Sequence, residues 1–211
     1  MKRTILTPAE YRSMPWKNGM GITHEIAISR SDEDLVSGSF LWRLSMAEVG
    51  TSSPFSRFPG CDRTIVLLEG NGMVLDSGPD GYHVLSHPFV PYSFSGEWQT
   101  QGRLLDGPCR DFNVMWDRKR LSAQCSVIAL SNTPQPLILS GTDHALFTLY
   151  GDVQILSGPS LPGQVLPARH TLLTESGRAL GSAPEQSSVL AVKAQEEEAL
   201  LLSISMMRRP P

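Results

Sequence analysis

The stretch RTIVLLEGNGMVLD, residues 63–76, decides the fold class, because two short apolar arms meet at Gly70-Asn71-Gly72 and neither arm has the length of an ordinary helix. Such a composition predicts a β-hairpin closing at Asn71-Gly72. The signal spreads outward from there. From Ile22 onward, short runs of period-two alternation are separated by Gly, Pro, Asp and Ser clusters, and no helical periodicity precedes Gln186. Across Phe40–Ala47, the side chains of Phe40, Trp42, Leu44 and Met46 point one way and those of Leu41, Arg43, Ser45 and Ala47 the other. Arg110–Trp116 behaves alike, with Phe112, Val114 and Trp116 opposite Asp111, Asn113 and Met115. The helical exception is Thr7-Pro8-Ala9-Glu10, where a capping threonine, a proline at the first helical position and an acid three residues past the cap predict one short N-terminal helix.

A chain of 211 residues holds one large domain or two small ones. Its 18 glycines, 16 prolines and 18% charged residues fit a turn-rich all-β protein. Sliding residues 65–96 onto 146–177, an offset of 81, brings seven identities into line. They are Leu68 with Leu149, Gly70 with Gly151, Leu75 with Leu156, Val84 with Val165, Leu85 with Leu166, Ser95 with Ser176 and Gly96 with Gly177. An echo at turn glycines and strand interiors is what a duplicated β-barrel requires. The reading is two jelly-roll β-barrels, residues 1–120 and 121–211, the first containing all four tryptophans and most of the polar-faced strands.

A net charge of −3 excludes broad attraction to phosphate backbones, so no nucleic-acid partner is expected. No apolar run approaches the roughly 18 residues of a membrane helix, and no apolar segment of a signal peptide follows Lys2-Arg3, so the expected location is cytoplasmic, with no membrane partner. Cys61, Cys109 and Cys125 are odd in number and show no Cys-x-x-Cys spacing, which reads as reduced thiols.

Three segments together resemble the HutD/Ves family of bicupins. They are WKNGMGITHEIA (16–27), FLWRLSMA (40–47) continuing through PFSRFPGCDR (54–63) to LLEG (67–70), and LLDGPCRDFNVM (104–115). The resemblance covers about the first 115 residues in the family's order, and the remainder is similar to a second cupin. It implies a cytoplasmic bicupin of two cupin-like barrels. It also implies association with histidine utilisation or with stress responses, through binding of a metabolite such as urocanate or N-formylglutamate. Met20 and Ser53 depart from glycines common in the family, which bears on loop shape and ligand choice.

Metal-dependent cupins place His-x-His and a following Glu on the strand before this turn. Counting back from Glu69, those places hold Arg63 and Ile65, or Asp62 and Thr64, so no metal or other cofactor is expected. His83 and His87, four apart before Pro88, are not a ligand set by themselves, and His24, His144 and His170 have no local partner. Cys61 lacks a neighbouring base, and neither Ser45 nor Ser56 lies in a Gly-x-Ser-x-Gly elbow. What remains is the polar minority face of three strands: Thr23 and Glu25, Arg43 and Ser45, Asp111 and Asn113. Turned into one barrel mouth, they make a pocket in which the Arg43 fork suits a carboxylate and Trp16 stacks on a planar ligand. Arg63 is a second cation for an anionic ligand, or else pairs with Asp62 or Glu69; Asn18 binds ligand, or else caps the turn of Trp16–Gly19.

The leading expectation is a metal-independent protein that binds a small carboxylated metabolite through Arg43, Asn18 and neighbouring hydroxyls, with a regulatory output. The competing one is a metal-free acid/base enzyme, isomerase- or epimerase-like, in which Glu25 or Asp111 moves a proton. A third is an interaction surface with no ligand. Exposed strand edges also suit a homodimer.

Overall fold

The computed structural model describes residues 2–157, 163–175 and 188–209. The chain divides into two compact units, Tyr11–Lys119 and Met1–Glu10 with Arg120–Pro211. Strand β1 (Lys2–Leu6) opens the second of these. The unit Tyr11–Lys119 contains β2 (Arg12–Pro15), β3 (Gly21–Ser29), β4 (Trp42–Val49), β5 (Ser53–Pro54), β6 (Cys61–Glu69), β7 (Met73–Asp76), β8 (Tyr82–Leu85), β9 (Pro91–Ser95), β10 (Gln101–Leu104) and β11 (Cys109–Asp117). They form two antiparallel sheets, β2-β3-β4-β11-β6-β9 and β5-β10-β7-β8. Alternation sends Ala47 and Val49 of β4 and Ile65 and Leu67 of β6 to one side, where they meet Met73, Leu75 and Leu85 of the other sheet. Each fully buried valine, isoleucine, leucine or methionine among them contributes about 1.5–3 kcal/mol.

The remaining strands are β12 (Leu121–Ser131), β13 (Gln135–Leu139), β14 (Asp143–Tyr150), β15 (Val153–Ser157), β16 (Gln164–Leu166), β17 (Thr171–Glu175), β18 (Ser188–Ala194) and β19 (Glu198–Arg208). With β1 they build the sheets β1-β17-β14-β19-β12 and β13-β18-β15-β16, around a core that includes Leu146, Leu172, Leu201, Ile155 and Val192. The order β4-β11-β6-β9 beside β5-β10-β7-β8 recurs as β12-β19-β14-β17 beside β13-β18-β15-β16. Both follow the strand order of a jelly roll. Five of the seven sequence coincidences fall at matching places in this order; Ser176 and Gly177 lie outside the described residues. Gly70 and Gly151 both have positive φ, and a Cβ at either would meet a backbone oxygen at 2.5–2.6 Å, of Pro108 just before β11 and of Glu198 at the start of β19. The glycines recur because the same close crossing recurs.

Three expectations are corrected. Gly70-Asn71-Gly72 does not close a hairpin: β6 pairs with β11 and β9, whereas β7 pairs with β10 and β8. The segment is a corner between sheets, with both glycines at φ +86° and the Asn71 amide donating to the Asp106 carbonyl at 3.3 Å. Thr7–Glu10 makes a 3₁₀ turn, Pro8–Glu10, rather than the N-terminal helix. Its acid accepts from the Thr7 N–H at 2.8 Å, but it has no buried side chain to extend a helix against. Among the described residues the α-helix is α1 (Asp32–Ser37), where Ser31 and Asp34 cap each other reciprocally and Gly38 ends it in the left-handed conformation. Lastly, residues 1–10 and Arg120 group with 121–211 and not with 11–119, Lys2–Leu6 pairing antiparallel with Thr171–Glu175. Among the described residues no helix is long and apolar enough to cross a membrane.

Candidate functional site

The register of four neighbouring strands brings the polar positions together. Glu25 lies opposite Ser45, and Ser45 opposite Asn113; Thr23 lies opposite Ala47, and Ala47 opposite Asp111. Arg43 and Arg63 flank Met115 from either side. Because side chains alternate, these residues project from the face of the sheet that also contributes Ala47 and Val49 to the core. All of them except Glu25 line a cavity of about 510 Å³. Trp16, Lys17 and Asn18 reach it from the turn between β2 and β3, and Ser53, Phe55, Ser56 and Phe58 from the segment around β5. Its volume is that of a small-molecule site.

Arg63 and Asp111 set its electrostatics. Both are almost fully buried, and Asn113 stands between them, its carbonyl accepting from the Arg63 guanidinium and its amide donating to Asp111 Oδ1. Arg63 Nε and Asp111 Oδ2 are buried without a hydrogen-bond partner. Phe55 and Phe94 pack against the guanidinium, ring centroids 4.7 and 5.0 Å from its carbon. Burial pushes Asp111 up to about 7, against the opposing pull of Arg63 and the Asn113 hydrogen bond. Burial lowers Arg63 to about 10, with Asp111 holding it up and Arg43 pressing it down. Cys109, on the same strand, is pushed up to about 12 by burial and then by Asp111, which keeps its thiol protonated.

The other expected residues divide. Arg43 lines the cavity, and its Nε donates to Glu25 Oε2 at 2.8 Å. Glu25 itself is not among the lining residues and acts there only through that ion pair. Trp16 donates from Nε1 to Thr23 Oγ1 at 2.8 Å, and its ring lies against Gly21, which fixes the indole at the rim. Asn18 caps its turn, its Oδ1 accepting from the Met20 N–H at 3.0 Å, and the residue also lines the cavity. Asp62 and Glu69 pair with Arg118 and Arg110, and neither pairs with Arg63. His24 lies outside the cavity, 3.3 Å from Glu48, and His83 stacks on Tyr92. Among the described residues no group of three His, Cys, Asp or Glu is placed to hold a metal. Sequence reasoning missed Phe55 and Phe58; an aromatic pair in PFSRF, close before Arg63 in the chain, was the available signal.

Strand-built walls around a buried, cation-bearing cavity define the class, a cupin-like β-protein. The fold is shared with a Cupin 2 conserved barrel domain protein of Leptotrichia buccalis at a TM-score of 0.53, 9% identity and 88% coverage of each chain. The chain belongs to the HutD family, whose model matches residues 8–196. It is similar to HutD from Pseudomonas fluorescens SBW25, with 27% identity, a TM-score of 0.79 and coverage of 99% of this chain and 100% of that one. It is also 41% identical over 121 residues to an uncharacterized 21.2 kDa protein in the hutC 3′ region of Pseudomonas putida. That match covers 57% of this chain and 61% of the relative, under two thirds of the latter's length.

Proposed function

We propose that this chain is a cytoplasmic, metal-independent binding protein for a small carboxylated metabolite, with a regulatory role in histidine catabolism. Membership of the HutD family and likeness to a protein of the hutC region support the pathway. The observation that carries the chemistry is Arg63: a buried guanidinium that hydrogen-bonds a neutral amide, not a carboxylate, and keeps Nε unpartnered, beside a cavity it shares with Arg43. A buried cation so placed favours an incoming anion, and the aromatic rings of Phe55, Phe58 and Trp16 suit a planar conjugated body behind the carboxylate. Urocanate and N-formylglutamate are the compounds to test. Titration calorimetry on chelator-treated protein should show binding of one of them, weakened by about 2 kcal/mol in Arg43→Ala through loss of a charged hydrogen bond. Absence of heat with both, from folded protein, refutes the ligand assignment.

One observation favours a second reading. Asp111 is poised near neutrality, as a general acid or base needs to be, and an isomerase-like activity follows if it reaches a substrate C–H. Exchange of substrate hydrogen in D₂O, present in the native protein and absent in Asp111→Asn, distinguishes turnover from binding. Glu25, held in its ion pair with Arg43, is the poorer candidate.

A further inference from the structure

The buried charges of the cavity balance before any ligand arrives. Arg43 is matched by Glu25, with 16% and 10% of their side chains exposed, and Arg63 is matched across the Asn113 amide by Asp111. Lys17, the remaining charged residue of the lining, is exposed and its charge is solvated. An anion seated between the two arginines therefore makes the buried side net negative, and it competes with Asp111 for the same guanidinium. At low dielectric that conflict is expensive. Its cheapest relief is a proton on the carboxylate whose Oδ2 has no hydrogen-bond partner.

We propose that the cavity binds its anion together with one proton, taken up by Asp111, so that ligand affinity falls as pH rises through neutrality. The proposal rests on the carboxylate-binding reading above. Among the described residues no other group around the cavity serves. Arg63 on β6 and Arg43 on β4 are guanidinium groups, and Lys17 in the turn before β3 is exposed; Cys109, on β11 but outside the lining, keeps its thiol protonated. Glu25, on β3, is tied to Arg43, and no histidine lines the cavity. Proton release by the empty protein near pH 7 places the linkage in the physiological range. Asp111 acts on the ligand through Asn113 and Arg63 and through its field, as a positioning residue on the cavity wall.

The test is calorimetry of wild type and Asp111→Asn with urocanate and N-formylglutamate at pH 6, 7 and 8, each in phosphate and in Tris, whose different ionisation heats count protons. Wild type should bind about tenfold more weakly at pH 8 than at pH 6, taking up about 0.1 proton at pH 6 and about 0.9 at pH 8. Asp111→Asn should bind with nearly the same affinity at all three values and without proton uptake. Wild-type binding without proton exchange overturns the proposal, and so does an uptake that survives in Asp111→Asn. The wild-type measurement decides even if the variant fails to fold. If neither metabolite binds, the carbon-13 titration of the Asp111 carboxyl with and without saturating acetate is the deciding measurement. A raised midpoint keeps the linkage and removes only the ligand assignment, and an unmoved one overturns both.

Discussion

Asp111→Asn should change how the stability of the Tyr11–Lys119 unit depends on pH, with no ligand present. The native carboxyl titrates at about 7 and the unfolded one near its ordinary 3.8. Below the unfolded value both states hold the proton, and the native preference for it stabilises the fold in full. As pH rises, the unfolded chain releases its proton first, so stability is lost progressively until the native group also ionises near pH 7. The roughly three decades between the two values, at about 1.4 kcal/mol each, bound the total at about 4 kcal/mol. Between pH 5 and pH 8 the loss is about 2–3 kcal/mol. Asparagine keeps the acceptor that Asn113 uses but carries no proton equilibrium. The stability difference, variant minus wild type, should therefore rise by that amount from pH 5 to pH 8, while groups common to both proteins cancel. Urea unfolding followed by tryptophan fluorescence is suited to it, since Trp16, Trp42, Trp98 and Trp116 all lie in this unit. A difference that stays constant across this range would refute the account of Asp111 as a carboxyl whose burial outweighs the pull of Arg63 and Asn113.

Glu25→Gln removes the partner of a largely buried Arg43; it should lower the urea midpoint of the apo protein by a stability loss of about 1–3 kcal/mol, yet tighten binding of the carboxylate that then takes Arg43, read by the same calorimetry. Gly72→Ala places a methyl 1.9 Å from the Leu85 carbonyl oxygen at a φ of +86°, so it should destabilise the unit by at least about 3 kcal/mol, seen as loss of the cooperative fluorescence transition or a large fall in its midpoint. An alanine at Gly78, where φ is also positive but nothing stands within 4 Å, should cost only about 1 kcal/mol.

Local alternation was the legible part. Phe40–Ala47 and Arg110–Trp116 read as strands and overlap the observed Trp42–Val49 and Cys109–Asp117, whose polar minority faces meet across one sheet because Ser45 is registered with Asn113 and Ala47 with Asp111. Long-range pairing was not legible. Gly-Asn-Gly supplies the same positive φ whether the next strand folds back on its neighbour or crosses to the opposite sheet, and only the partners of β6 and β7 distinguish the two. Similarly, Thr23 and Glu25 look equivalent in sequence, but the Arg43 guanidinium takes Glu25 into an ion pair beside the cavity and leaves Thr23 on its wall. Helix α1 escaped notice because it has no apolar stripe: Leu35 and Val36 are exposed, and the caps alone define it.

Strand β1 gives the chain an unusual order of events during synthesis. Ile5 is synthesised well before its register partner Leu172. Tyr11–Lys119, complete in its own sheets, is synthesised entirely within that interval. On the ribosome the cavity-bearing unit can therefore form while β1 is still unpaired, and the other unit closes only when its first strand is joined by one of its last. Deleting Lys2–Leu6 thus acts on the unit that holds β17, by baring the edge of that strand, and not on the sheets of the cavity-bearing unit.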